Sequence, residues 1–396
     1  MNTTIISLIA SSLAKSPFIS LRGETLISKC IFSRHFATIL HGGYNFKSNA
    51  KISSTTFRDT LGTAIRISNS GFEDLIFNSP QEITNSSNLE ITHCLFINCN
   101  SNQQGGALKF GTTSTIGTLR ISKTGFHNCR NTKEGGAFYV KCTYFEMSSV
   151  CIDQCSAETY SAGCFFGKYN KAIVENSYIT SISGSESGAV LLIENNEPSL
   201  RASNITSVTC ANGRSIAEFG GYSSQCLKVS NILFLRCSAQ NILYFSEQYA
   251  ATISTINFIK NRGTKNLVYL HPNCLTVTEC AFIEDESERF FNDACFLKNC
   301  VFSGSDQAKI PDAAVKQSLT FDAGFQTFQF NIPNSDACWN LMTKDTAGTG
   351  GGGSSASTIL AFLLLTVAVI GIAFVVYKFW KSRRQGEALL KMYSSV

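Results

Sequence analysis

Leu89-Glu90-Ile91-Thr92-His93-Cys94-Leu95-Phe96-Ile97-Asn98-Cys99, running on to Gly105-Gly106-Ala107-Leu108-Lys109-Phe110, is the stretch that decides the fold. Thirty residues later it returns as Leu119-Arg120-Ile121, Phe126-His127-Asn128-Cys129 and Gly135-Gly136-Ala137-Phe138-Tyr139-Val140. Four kinds of anchor at unchanged offsets make the chain a repeat protein, built from like units that bury their apolar faces on one another. Looser copies of the Phe-x-Asn-Cys block extend the series to Phe32, Phe57, Phe96, Phe126, Ile152, Tyr178, Phe234, Phe258, Phe282 and Phe302. The spacings are 25, 39, 30, 26, 26, 56, 24, 24 and 20. The 56 reads as two coils of 28 with a degenerate copy around 203–208, and the 39 as one coil with a long loop. About a dozen coils are implied.

Every unit holds three short apolar runs, such as Leu89/Ile91, Leu95/Phe96 and Leu108/Phe110, and none holds ten residues of helical period. Three strands per coil, broken by Asn, Gly and Ser, describe an all-β parallel solenoid. Its strands pair with their copies about 4.8 Å along the axis, which gives a length on the order of 55 Å. A leucine-rich repeat overlaps this period, but the strong copies carry Gly-Gly-Ala where that repeat needs its L-x-x-L-x-L series.

Inside such coils Phe96 and Phe126 are expected to stack in a narrow interior, where the 30 Phe of the 396 residues find their use. Asn98 and Asn128 are expected at corners with left-handed backbone and amides bonded from coil to coil. Gly105-Gly106 and Gly135-Gly136 are expected where a Cβ would block a corner. Cys99, Cys129, Cys155 and Cys237 fall at equivalent corners, within disulfide reach of one another if the coils are adjacent. They are equally consistent with a buried thiol ladder carrying no bonds.

A second segment governs topology. Residues 359–377 contain no charge and are long enough to cross a bilayer as a helix. Lys378, Lys381, Arg383 and Arg384 follow, with Tyr377 and Trp380 at the expected interface, so the C-terminus is expected in the cytoplasm. The expected organisation is a candidate short signal peptide at 1–14, β-helix repeats at 15–305, a cap closing the end of the solenoid at 306–343, a Gly/Ser-rich stalk at 344–357, a transmembrane helix at 358–377 and a basic tail at 378–396. All 16 Cys lie between Cys30 and Cys338, on the side that such a topology places in an oxidising compartment. The expected location is the plasma membrane, with the ectodomain outside. Asn85 and Asn204 fit glycosylation acceptors by pattern, Asn85 in a polar loop. The tail end Tyr393-Ser394-Ser395-Val396 has the form of an endocytic-adaptor signal ending on Val396.

The net charge of +5 resides mostly in the tail, whose five basic residues and Glu387 account for +4. A nearly neutral ectodomain gives nucleic-acid binding no electrostatic support. The one dense acidic run, Glu284 to Glu288 with Asp293 beyond, reads as a solvated charged loop, and the loops 79–88 and 284–293 are expected contact sites. Cys94/Cys99 and Cys151/Cys155 have ligand-like spacing, but paired CxxC motifs are absent and the five His are scattered, so no metal site is expected. No motif of an enzyme appears in its required setting, and no catalytic residue or cofactor is expected.

The blocks Phe96-Ile97-Asn98 with Gly105-Gly106-Ala107, and Phe126-His127-Asn128 with Gly135-Gly136-Ala137, resemble the polymorphic outer membrane protein repeat family. That family is known from chlamydial surface proteins and from membrane-anchored surface proteins of parasitic protists. The strong motifs cover about fifty residues and weak copies roughly 20–330. The resemblance implies a right-handed, pectate-lyase-like β-helix on a cell surface that adheres to host or neighbouring cells through a protein or glycan. Bacterial members end in a membrane β-barrel, whereas this chain ends in one apolar segment and a basic tail, as in the protist type I form. A surface-anchored polysaccharide-processing enzyme and an endocytic or signalling receptor are the alternatives, since the fold carries all three.

Overall fold

A computed structural model describes residues 2–12, 19–20, 23–42, 48–67, 87–111, 117–158, 165–184, 190–193, 197–210, 213–220, 227–246, 250–270, 274–304, 306–321 and 327–329. The chain divides into two units, Met1–Thr346 and Ala347–Val396, the second wholly outside the described residues. The expected transmembrane helix at 358–377, the expected stalk at 344–357 and the expected tail with Tyr393 and Val396 all lie outside them. Among the described residues no helix is long and apolar enough to cross a membrane.

The first unit is a parallel β-solenoid. One coil shows the plan: strands Asn88–Thr92, Leu95–Ser101 and Leu108–Gly111 each pair in parallel with their counterparts in the coils on either side. The second strand sets the register, through Ala10, Phe32, Phe57, Phe96, Phe126, Ile152, Ile179, Ile205, Phe234, Phe258, Phe282, Phe302 and Phe321. All but Phe321 lie in the core. Phe57 and Phe96 pair directly, so the 39-residue spacing is one coil, and Ile205 fills the degenerate coil in the 56-residue gap.

Three expectations are corrected along this register. Ile179, not Tyr178, continues the rung series, because Tyr178 pairs with Cys151 and packs with it and Leu95 on the outside. Residues 2–11, read as a candidate signal peptide, form strands Asn2–Ile6 and Ile9–Ser11 of the lowest described coil, pairing with Gly23–Ser28 and Ile31–Ser33. The solenoid also runs past 305, since Val315–Gln317 and Thr320–Phe321 add a further coil.

Ring stacking accompanies the register. Phe57, Phe96 and Phe126 lie 4.9 and 4.8 Å apart, tilted by 6° and 4°, and Phe258, Phe282 and Phe302 repeat the stack at 4.9 Å. The strand-to-strand spacing of a sheet fixes these distances. Each buried Phe contributes roughly 1.5–3 kcal/mol by removal from water, and each ring pair about 0.5–1.5 kcal/mol more.

The corners obey one rule. Among the described residues 24 non-glycine residues have positive φ, and every one sits either three positions before a rung residue or two after it. Lys29, Ser54, His93 and Lys123 form the first column; Arg34, Asp59, Asn98 and Asn128 form the second. Left-handed backbone costs an L-residue roughly 1–2 kcal/mol. The corner N–H groups regain part of it by donating to the next coil, as Lys29 does to Ser53, Ser54 to Thr92 and His93 to Ser122, at 3.0–3.2 Å. Asn98 (φ 52°) and Asn128 (φ 51°) add side-chain bonds: the Asn128 amide donates to Asn98 at 2.7 Å, and the Asn98 amide to Asp59 at 2.8 Å. Gly105 and Gly135 have φ of 76° and 72°, and a Cβ at Gly135 would lie 2.1 Å from the Phe138 carbonyl oxygen. At Gly106 a Cβ would lie 2.1 Å from the oxygen of Gly136, one coil away.

Of the two cysteine readings, the structure has the thiol ladder. Cys99, Cys129, Cys155 and Cys237 are buried free thiols, and Cys151 on the outer side is disulfide-bonded. The four ladder thiols donate to the rung carbonyls of Phe57, Phe96, Phe126 and Ile205 in the preceding coils. His35 and Asn261 occupy the same site and bond Ala10 and Phe234 in the same way, so the site selects a side chain that reaches a carbonyl 3.0–3.8 Å away. A second thiol series alternates with threonine. The Cys30 and Cys94 backbone N–H groups donate to the hydroxyl oxygens of Thr55 and Thr124, one coil on.

Two measurements follow. Gly135→Ala should lower stability by roughly 2–4 kcal/mol, because both φ and the Phe138 carbonyl oppose a Cβ. Thr255→Asn should raise it by about 0.5–1 kcal/mol, since a β-branched residue at φ 53° is the costlier occupant of its corner. Chemical denaturation of both variants reads the opposite signs. Burial also pushes the thiols up, Cys94, Cys210 and Cys237 to about 12, Cys300 to about 11, and Cys99, Cys129 and Cys280 well above the ordinary value. With folded pKa values raised, the unfolded chain loses protons first, so the thiol contribution is intact below pH 9 and lost as pH rises toward 11–12. The unfolding free energy should fall above pH 9 by about 1.4 kcal/mol per thiol per pH unit, and Cys129→Val should flatten that slope.

Candidate interaction surface

Because side chains alternate along a strand, each coil presents outward residues on three faces, and the coil repeat lines them into axial columns. On the first-strand face one column reads Leu26, Lys51, Glu90, Arg120 and Glu146. Lys51 pairs with Glu90 at 3.0 Å and Arg120 with Glu146 at 3.2 Å; further along, Arg201 meets Glu175 at 2.6 Å. In the column beside it the Asn88 amide donates to Asn49 at 3.0 Å. Asn49, Lys51, Asn88, Glu90, Thr118 and Arg120 line a shallow groove of about 360 Å³ that spans three coils. Exposed pairs of this kind each contribute about 0–1 kcal/mol, so their main consequence is a fixed pattern of charge.

The third-strand face differs. His41, Arg66, Lys109 and Tyr139 are in register over four coils, with the Lys109 ammonium 6.0 Å from the centre of the Tyr139 ring. Burial, and secondarily the Arg66 charge, push the His41 imidazole down. Further along the same face Tyr244 and Tyr269 stack at 4.8 Å with the Arg214 guanidinium 5.0 Å over Tyr244.

The second-strand face is covered in part. Ile259, Ala281 and Ile283 point outward from their strands yet are 8%, 0% and 1% exposed, and Phe328 packs on them. The Asn257 side chain locks Phe328 in both directions, its amide donating to the Phe328 carbonyl at 2.8 Å and its oxygen accepting the Phe328 N–H at 3.0 Å. The expected cap at 306–343 is therefore of two kinds: 315–321 completes the last described coil, and 327–329 lies along the flank. Apolar side chains on an outward face explain this, since Leu233, Leu235 and Val301 extend the same patch.

The acidic run is also corrected. Glu286–Phe291 is a strand, and Asp285 is 4% exposed at the ladder site, accepting bonds from the Asn261 N–H at 2.8 Å and side-chain amide at 3.0 Å. Only its neighbours face solvent, Glu284 pairing with Lys260 at 3.1 Å and Glu286 lying 3.8 Å from Arg262. Residues 284–291 are thus coil, not a protruding loop, and 79–86 lie outside the described residues. Of the glycosylation candidates, Asn85 also lies outside them, while Asn204 is 8% exposed with its side-chain oxygen accepting the Thr206 hydroxyl, a poor acceptor in the folded chain. Cys94 and Cys99 occupy separate interior ladders, and among the described residues no three His, Cys, Asp or Glu are placed to hold a metal. The structure brings the anchors Phe96, Asn98, Cys99, Gly105, Gly106, Phe126, Asn128, Cys129, Gly135 and Gly136 onto adjacent coils, where they build the scaffold.

Sequence reasoning missed the outward columns because the repeat motif is defined by its inward residues. The signal was present in the alternate positions, Lys51, Glu90, Arg120 and Arg66, Lys109, once the coils are aligned. Compared with protein-family models, curated proteins and solved structures, the chain matches none of them.

Removing the Phe328 side chain should free the flank. In Phe328→Ala, protease cleavage near 327–329 should accelerate severalfold, while the solenoid's denaturation midpoint changes little, because the rung stack does not include Phe328. Unchanged cleavage would show that the reciprocal Asn257 bonds alone hold the segment.

Proposed function

We propose that the chain is a cell-surface adhesion or interaction protein, anchored by 359–377 with its β-solenoid outside the cell and its basic tail in the cytoplasm. The observation that carries the reading is the outward surface of the coils, where fixed columns of charged and aromatic side chains run along the axis on a scaffold of stacked Phe. An extended array of this kind suits contact with a large partner at many points, each weak, with avidity arising from their number. The resemblance of the Phe-x-Asn and Gly-Gly-Ala blocks to the polymorphic outer membrane protein repeats supports the same role, by analogy of motif. The partner is a protein or glycan of a host or neighbouring cell, and the tail end around Tyr393 and Val396 serves an endocytic adaptor.

Display of the full chain on a non-adherent cell tests this. Cells carrying it should attach to target cells or glycan-coated surfaces above the empty-vector count. Attachment at the vector level, with the solenoid shown to be exposed and folded, would overturn adhesion and make polysaccharide cleavage and ligand uptake the next assays.

A further inference from the structure

Cys151 stands apart from the interior thiols. Eleven other described cysteines are free and lie in the main core, whereas Cys151 faces outward beside Leu95 and Tyr178 and is disulfide-bonded. That leaves Cys164, Cys226, Cys274 and Cys338 as candidate partners. The coil register separates three of them from Cys151. Cys226 adjoins Leu227, three coils along the axis, and Cys274 pairs with Ala250, five coils along. At sheet spacing these are about 14 and 24 Å, whereas bonded cysteines keep their Cα atoms within about 7 Å. Cys164 adjoins Phe165, which pairs with Phe138 on the third strand, while Cys151 opens the second strand and points away from the interior.

Chain connectivity favours the fourth. The Asn257 side chain holds Phe328 on the second-strand flank. Asn257 belongs to an outward column that continues through Leu233, Asn204 and Tyr178 to Cys151, four coils and about 19 Å away. Ten residues lead from Phe328 to Cys338, an extended reach of about 33–36 Å. Burial marks the same path. Asn257, Asn204 and Cys151 are buried although they point outward, Cys151 to 1% exposure, so a segment covers them. At the far end of the column, beyond Cys151, Ile31 and Ile9 are exposed, Ile9 by 73%.

We infer that Cys338 is the disulfide partner of Cys151, and that the chain from Phe328 to Cys338 forms a covalently closed strap along the second-strand flank. Phe328, Phe330 and Ile332 recur at every second position, so an extended strap has one apolar side to lay against the column. Closing the bond takes two protons and two electrons from the thiols. A disulfide oxidant such as oxidised glutathione accepts them and leaves as two thiols. The ladder thiols do not compete, because burial holds Cys99 and Cys129 protonated and out of reach. The strap occupies the middle of one flank and leaves the first- and third-strand faces to a partner, and it stands whether or not the protein is an adhesin.

Peptide mapping of the full chain tests the pairing. The chain is incubated with oxidised glutathione, denatured with its free thiols alkylated, and cleaved after Asp and Glu without reduction. The expected product joins residues 147–153 to 337–345, each peptide carrying a single cysteine, and reduction separates the two. Non-reducing electrophoresis should show a monomer, which places the bond within one chain. Mild reductant should accelerate protease cleavage within 330–343 severalfold in the parent. In Cys338→Ser cleavage should already run at the faster rate and ignore the reductant. Joining of 147–153 to the Cys164 peptide 159–175 or to another cysteine peptide would overturn the pairing. So would recovery of Cys151 in alkylated form, or a dimer that reduction resolves. A joined pair whose reduction leaves cleavage unchanged would overturn the strap.

Discussion

Two left-handed turns on either side of each rung residue are the constraint on which the rest of this solenoid depends. They bend the chain sharply enough to enclose a single ring, and they recur from Ser7 to Ser318 whatever residue occupies them. Lys, Arg, Glu and Thr stand at these corners beside the more tolerant Asn and Ser, so the fold bears a local cost at nearly every coil. Parallel pairing to the next coil offsets it, because each corner N–H finds a carbonyl there and each interior side chain finds its own kind above and below. An isolated coil would have the strain without the pairing, which is why stability in such a protein belongs to neighbouring coils and not to single ones.

The interior shows the same economy in its polar groups. A rung carbonyl at the second corner needs a donor, and thiol, imidazole and amide all supply one from the ladder position: Cys129 to Phe96, His35 to Ala10, Asn261 to Phe234. Cysteine is therefore used here as a small apolar side chain with a weak donor. Its frequency among the described residues reflects core geometry, with Cys151, on the outer side, the described cysteine that is disulfide-bonded. Asp285 extends the ladder as an acceptor for Asn261, an arrangement that converts an apparently solvated acidic run into part of the core.

Outside, the scaffold imposes order on residues that the repeat leaves free. Charges that a sequence reader sums to near zero are arranged by the coil register into alternating pairs on one face and a series of His41, Arg66, Lys109 and Tyr139 on another. Apolar side chains on the second-strand face, from Leu233 to Val301, are partly covered by Phe328, so residues 327–329 lie on the flank of the solenoid. The three faces thus differ in chemistry although the coils that form them are alike.

By itself the sequence determined the repeat, its strand character, the stacked Phe rungs, the left-handed Asn corners and the glycines that no side chain can replace. These are local or strictly periodic properties, visible wherever Phe96-x-Asn98-Cys99 and Gly105-Gly106 recur. Only the tertiary structure decided that Ile179 and not Tyr178 holds the rung, that 2–11 belong to the lowest described coil, that the ladder cysteines remain thiols, and that 327–329 pack on the side. Each of these turns on a one-residue register or on contacts between residues 22 to 71 positions apart, as Asn2 with Glu24 or Asn257 with Phe328. A shift of one position exchanges inside for outside along a strand, and motif periodicity in the weak copies does not resolve that choice. Hydrogen-bond pairing between coils does, because it holds every strand to a single register.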